Sequence, residues 1–243
     1  MNNKIMSKLL ILFAKAPEPG YVKTRLTPFL SKIDAAKLQE AFIKDLLDTT
    51  QTLTTTDAMQ SAIACAPAIE HPFFQACGEK YNLRFILQKG KDLGERMHNA
   101  FLWGFENGFE KIVIIGCDSP TLPRDFIRQA FEKLSKTDLV LGPSLDGGYY
   151  LIGAQQIPKE KRKNFSSLFS GLTWGTESIL IKTLERLNTQ KDDYDLLPFW
   201  YDIDRPSDLT FLKEHLKYLH SQQKNLPHAT KKMLDLLRID KNS

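Results

Sequence analysis

The strongest constraint on the fold is a repeated alternation of two patterns. Short apolar runs rich in β-branched residues occur at "KLLILFA" (8–14), "SAIACA" (61–66), "LRFILQ" (83–88), "KIVIIG" (111–116), "DLVLGP" (138–143) and "YYLIGA" (149–154). The segments between them place an apolar residue every three or four positions, as in Leu38, Phe42, Leu46 and in Met97, Phe101, Phe105. A strand that is apolar throughout is covered on both faces, and an intervening helix brings the chain back to begin the next strand parallel to the last. The pattern predicts an α/β fold with a mostly parallel sheet flanked by helices on both faces.

At 243 residues the chain buries a sizeable core, and no linker or repeat divides it, so one domain over 1–243 is expected. A short helical extension follows from about residue 225, where "ATKKMLDLLRI" is amphipathic. It can pack on its own core or on a second copy in a homodimer. Helix starts are marked by Asp92 with Glu95, a capping box closed by Gly108, and by Thr121 with Pro123 ahead of "RDFIRQAFEKLSK". Further helices are expected from Thr176 to about Leu187 and after Pro206. The stretch from Pro158 to Gly175 has weak periodicity and is expected to cover one end of the sheet.

Several function classes drop out. The net charge of +4 is spread along the chain, with no cationic stripe interleaved with aromatics, so nucleic acid is not an expected partner. The apolar part of "MNNKIMSKLLILF" is too short to span a membrane and lacks a small-residue cleavage site, which predicts a cytoplasmic protein. Cys65, Cys77 and Cys117 form no CxxC pair, so neither a zinc site nor a disulfide framework is indicated.

In an open parallel sheet, ligands bind beyond the carboxyl ends of the strands. After the first strand comes "KAPEPGYVKTRL", with Lys15, Lys23 and Arg25 among prolines and Gly20. Cations and a close backbone approach suit phosphate oxygens; a solvated basic loop is the alternative, against which Pro17, Pro19 and Pro28 stiffen the segment. It is not a nucleotide-triphosphatase loop, because Val22 rather than glycine precedes Lys23 and Pro28 interrupts any following helix.

After "KIVIIG" comes Asp118, placed to meet a divalent cation or to start the turn before Ser119 and Pro120. Cys117 beside it reads as a small buried thiol rather than a nucleophile. "SLDGGYY" carries Asp146, Gly147 and Gly148, equally a hairpin turn and a ligand turn. In "YDIDRPSDL", Asp202 and Asp204 alternate on an extended chain and point to one face, which suits one shared metal ion. Asp204 could instead cap the helix at Pro206, and Arg205 could neutralise one of the pair. "DLGERM", with Gly94 and Arg96, and "TWGTESI", with Trp174 and Thr176, bring polar groups to helix starts, where anions are favoured.

Together these six segments resemble the glycosyltransferase-A (nucleotide-diphospho-sugar transferase) superfamily, specifically a bacterial branch of small glycosyltransferase-like proteins, over almost the whole chain. The ending "DIDRPSDL" is also similar to "DIDTPEDL" of molybdenum-cofactor and phospholactate nucleotidyltransferases, which share that Rossmann-related fold. The resemblance implies that Lys15, Lys23 and Arg25 hold nucleotide phosphates, and that Asp118 and Asp204, with Asp202 available, hold Mg²⁺ or Mn²⁺. The chain departs from the superfamily's Asp-x-Asp after the central strand, having Asp118, Ser119, Pro120.

Three readings follow. The first is a metal-dependent glycosyltransferase using a nucleotide-diphospho-sugar and a small-molecule acceptor. In it Lys23 and Arg25 share the diphosphate charge, Asp146 orients or deprotonates the acceptor hydroxyl, and Gly147, Gly148, Tyr149, Trp174 and Thr176 form the acceptor or sugar pocket. The second is a nucleotidyltransferase joining an NTP to a small phosphorylated metabolite. The third is a non-catalytic nucleotide-sugar binding module.

Overall fold

A computed structural model describes residues 7–156, 162–222, 224 and 226–237. Seven strands form one sheet: β1 (Lys8–Lys15), β2 (Gln60–Ala66), β3 (Arg84–Leu87), β4 (Lys111–Ile115), β5 (Leu139–Pro143), β6 (Tyr149–Gln155) and β7 (Tyr194–Leu196). The eight helices are α1 (Lys32–Thr56), α2 (Pro72–Lys80), α3 (Leu93–Glu106), α4 (Arg124–Lys133), α5 (Arg162–Phe169), α6 (Ile179–Gln190), α7 (Pro206–Ser221) and α8 (His228–Leu236).

The strand order is β3-β2-β1-β4-β6-β5-β7. β1, β2, β3 and β4 pair in parallel, as do β5 and β7, whereas β6 runs antiparallel to both β4 and β5. The six apolar runs are thus all strands. β7 is a seventh that the pattern did not mark, being three residues of mixed polarity at the sheet edge.

The two-residue period of a strand divides the core. Leu10 and Leu12 of β1 face α1, α2 and α4 in one apolar cluster, and Leu9, Ile11 and Phe13 face α3, α5 and α6 in another. α1 is buried on a second side too, where Leu38 and Phe42 meet Leu209, Leu212 and Leu216 of α7 and Met233 of α8. The C-terminal amphipathic helix therefore packs on its own chain. Asp45 of α1 accepts the free N–H groups of Ala229 and Thr230 at 2.9 and 2.7 Å, which fixes the start of α8. Residues 238 and 239, the end of that predicted helix, lie outside the described residues, as does part of the stretch from Pro158.

Two helix starts differ from expectation. The hydroxyl of Thr121 donates to Tyr201 at 2.7 Å rather than capping α4, which begins behind Pro123. Helix α6 begins at Ile179, behind Ser178, not directly after Thr176. The Asp92 cap on Glu95 holds at 2.8 Å. No helix among the described residues is long and apolar enough to cross a membrane.

Candidate active site

Because β1 and β4 are adjacent and parallel, the loops that follow them open on the same edge of the sheet. The segment 200–205 is drawn to that edge by backbone hydrogen bonds from Ile203 N–H to the Asp118 carbonyl and from Leu145 N–H to the Trp200 carbonyl, at 2.9 and 3.0 Å. Three stretches far apart in sequence thereby converge.

At their meeting point lies Lys23. Its backbone is left-handed, φ 49°, and the chain around it is pinned by Val22 and Leu26, both buried. Its side chain is 2% exposed. The ammonium contacts the Asp118 carboxylate, lies 3.4 Å from Asp204 Oδ1, donates to the Ile203 carbonyl at 2.6 Å and stands 5.3 Å over the ring of Phe42. Burial alone would lower the lysine pKa; the charges of Asp118 and Asp204 outweigh it and raise it above the ordinary value. Arg25, more than half exposed, reaches the other oxygen of Asp204 at 3.1 Å. The ammonium expected on phosphate is thus turned onto the two carboxylates expected on metal.

Asp204 is released for this role by Asp208, whose carboxylate accepts the N–H groups of Asp204 and Arg205 at 2.9 and 2.7 Å and takes over the capping of α7. Arg205 neutralises neither member of the pair. Its guanidinium is 4.0 Å from Glu177, both side chains being exposed.

Asp202 does not share a point with Asp204. Its two oxygens accept from the hydroxyls of Ser119 and Ser144, and burial, with the Asp118 charge adding to it, pushes its carboxyl up to about 6 against the opposing pull of those two bonds. Neither serine was given a role in the sequence, although Ser119 directly follows Asp118 and Ser144 opens "SLDGGYY". Cys117 is buried, accepts from Gln39 Nε2 at 2.8 Å, and has its thiol pushed up to about 12 chiefly by burial. It has the character of a packed thiol, not a nucleophile.

The "DGG" turn is the hairpin turn that was one of its two readings. It joins β5 to antiparallel β6, and Asp146 Oδ1 accepts the Gly148 N–H at 3.0 Å within the turn. Gly147 has φ +88°, and a Cβ there would come within 2.1 Å of the Glu177 carbonyl oxygen, so only glycine lets the turn dock on α6. There the Leu180 N–H donates to the Gly147 carbonyl at 2.9 Å.

Asp146, Asp202, Gly175 and Thr176 form a boundary common to two concavities. The outer cleft, about 1030 Å³, is lined by Arg25, Asp204, Arg205, Asp208 and Phe211 among others. The inner pocket, about 180 Å³, lies between Phe13, Met97, Ile114, Tyr149 and Trp174. Gly94 works at this pocket rather than at an open helix end. It is buried, and a Cβ on it would stand 2.4 Å from Trp174 Cζ2, so the glycine seats the indole against α3. Arg96 donates from Nε to the Gly90 carbonyl at 3.1 Å. Lys15 is exposed at the end of β1, while Pro17 and Gly20 shape the loop between it and Lys23.

Carboxylates are suitable ligands for a hard cation that completes its shell with substrate phosphates and water. Asp118 and Asp204, 45% and 32% exposed, converge on one point, so the donor set fits such an ion, with the Lys23 ammonium now at that point. Among the described residues no group of three or more His, Cys, Asp or Glu side chains is placed to hold a metal without further ligands.

Similarities to known proteins agree with this architecture. The chain is 26% identical over 208 residues to a 2-phospho-L-lactate guanylyltransferase of Methanocaldococcus vulcanius, covering 82% of this chain and 85% of that one. A solved structure from Desulfovibrio desulfuricans, provisionally named a nucleotide-diphospho-sugar transferase, superposes with TM-score 0.80 at 29% identity over 96% of this chain and 98% of that one. A cytidylyltransferase from Leptospira borgpetersenii superposes with TM-score 0.54 at 14% identity over 98% of each chain, a likeness of fold alone. The fold is that of the nucleotide-diphospho-sugar transferases and the nucleotidyltransferases that share it. A family profile described as "Uncharacterized protein conserved in bacteria" (DUF2064) matches residues 49–176, and with more than half of its length matched the chain belongs to that family.

Proposed function

We propose that this protein is a nucleotidyltransferase that joins a nucleoside triphosphate to a small phosphorylated metabolite and releases pyrophosphate. The observation that carries the reading is the convergence at one mouth of a basic loop and two carboxylates held together by Lys23. The likeness to a guanylyltransferase over most of the chain favours nucleotidyl over glycosyl transfer.

In the reaction an acceptor phosphate oxygen attacks the α-phosphorus of the triphosphate. The bond from that phosphorus to the bridging oxygen of the β-phosphate breaks, and pyrophosphate departs with its electron pair. Arg25, on the wall of the cleft, and Lys15, at the end of β1, are the cations that would oppose the charge growing on the leaving group. A phosphate oxygen is already ionised at neutral pH, so no base is needed at the acceptor. Asp118 and Asp204 would hold Mg²⁺ or Mn²⁺, which when bound supplies further positive charge against the pyrophosphate. Lys23 keeps the two carboxylates together before substrate arrives and exchanges its partner from carboxylate to phosphate afterwards.

The test is a melting-temperature screen with Mg²⁺ and either NTPs or nucleotide-sugars, followed by a pyrophosphate-release assay. A rise with an NTP, with pyrophosphate released on adding phosphorylated acceptors, is expected, since a ligand that prefers the folded state stabilises it. A rise with nucleotide-sugars alone would return the glycosyltransferase reading, which the name of the Desulfovibrio relative favours and in which Asp146 takes the acceptor proton. Binding without turnover would leave a nucleotide-binding module.

A further inference from the structure

The inner pocket differs in kind from the cleft it opens on. Its wall includes a buried apolar set, Phe13, Met97, Ile114, Ile152 and Ile179, each 8% exposed or less, beside the exposed Leu93, Gly175 and Thr176. Among the described residues no lysine, arginine or histidine lines it, and its charged members, Asp146 and Asp202, are both acids on its boundary with the cleft. The Trp174 ring closes one side edge-on to Tyr149, 6.3 Å between centroids at 88°, and its indole N–H is buried with no hydrogen-bond partner among the described residues. Gly116, at the end of β4, leaves room as well, since a Cβ there would meet nothing within 4 Å.

An anion placed in this space would lose its water, find no cation and face two carboxylates. A neutral apolar group would lose nothing comparable. At about 180 Å³ the space is in the range of the roughly 150 Å³ cavity known to accept benzene.

Resting on the nucleotidyltransferase reading, we infer that the second substrate is a phosphate monoester with a neutral, largely apolar body of about the size of a benzene ring. The body fills the pocket between Phe13, Met97, Tyr149 and Trp174, while the phosphate stays in the cleft beside Arg25. The inference separates this chain from an acceptor whose body carries its own carboxylate.

The experiment uses two probes of the same shape on the full chain, benzyl alcohol and benzoate, with binding read by ligand-observed NMR. Benzyl alcohol is expected to bind at least tenfold more tightly than benzoate. Gly116→Val fills the pocket from β4 and is expected to abolish benzyl alcohol binding while the melting-temperature rise with NTP and Mg²⁺ persists. Gly116→Ala is expected to weaken it severalfold and serves if the valine variant fails to fold. Benzoate binding as tightly as benzyl alcohol, or binding indifferent to Gly116, overturns the inference. So does displacement of benzyl alcohol by guanosine or cytidine, which would assign the pocket to the nucleobase. If benzyl alcohol behaves as expected but no NTP raises the melting temperature, the nucleotidyltransferase reading fails and the apolar pocket stands.

Discussion

On the parallel side of the mouth, between β1 and β4, Lys23, Asp118, Asp204 and Arg25 are knit into one ionic cluster. In the inner pocket, walled by β1, α3, β4, β6 and Trp174, the surface is largely apolar, and the one buried side-chain nitrogen or oxygen without a partner among its described residues is the indole N–H. The first region gains from electrostatics and fails when one charge is removed. The second gains from shape and tolerates chemistry that keeps its volume. The difference teaches that one mouth can hold a highly charged ligand and an uncharged one side by side, with Asp146 and Asp202 as the boundary.

The largest expected effect comes from breaking the ionic side. Asp118→Asn leaves a buried ammonium with only the more distant Asp204, and should cost about 2 kcal/mol in urea unfolding, below the 3–5 kcal/mol of a fully buried pair because Asp118 is partly exposed. Transfer should fall more than about 100-fold. Adding Lys23→Met, which keeps the stem over Phe42 and removes the charge, should recover at least about 1 kcal/mol of that stability, and no recovery would mean the pair is not coupled. Lys23→Met alone should tighten Mn²⁺ binding to the nucleotide-free protein, read by electron paramagnetic resonance. Unchanged Mn²⁺ affinity would show that the ammonium does not hold the metal's place.

Next comes the boundary itself. Asp202 has a raised carboxyl, so the folded protein takes up its proton more readily than the unfolded chain does. The stability this contributes is fully present below the ordinary value of 3.8 and is lost as pH rises through about 6. The shift corresponds to at most about 3 kcal/mol. Urea unfolding with a chelator present, over a pH series through that window, should show Asp202→Asn gaining on the wild type as pH rises. Parallel curves would remove the boundary role.

On the apolar side, Gly94→Ala drives a methyl into Trp174 and the Phe169 carbonyl and should cost about 1–3 kcal/mol. It should displace the indole with little effect on NTP binding. The smallest effect belongs to Arg205→Ala. Its exposed partner Glu177 is 4.0 Å away, and the loss should be under about 0.5 kcal/mol.

The fold was legible because strand and helix periods are local. The six apolar runs needed only their own residues to be recognised, and β7 escaped because three half-exposed residues carry no period. The strand ends were legible as the place of the site for the same reason. What the sequence did not reveal is how the side chains divide the work. Lys23 meets its partners across roughly 95 and 180 residues of chain, and its burial depends on Phe42 and Ile203, whose places are set by α1 and α7. Asp202 and Asp204 alternate along the chain as expected, but Ser119 and Ser144 withdraw one of them into the interior. Asp208, three residues inside the helix start, frees the other.

The single reversed strand sets the terms for how such a mouth can change. Because β6 runs against its neighbours, the β5–β6 turn returns to the sheet edge already occupied by the β1 and β4 loops, and it leans on α6 and the 200–205 segment rather than on them. The two halves of the mouth are thus tied together: Asp202 joins Ser144 of the turn to Ser119 of the β4 loop, and the pocket wall draws on Phe13 of β1 and Ile114 of β4, so a rebuilt turn has to keep its fit to both.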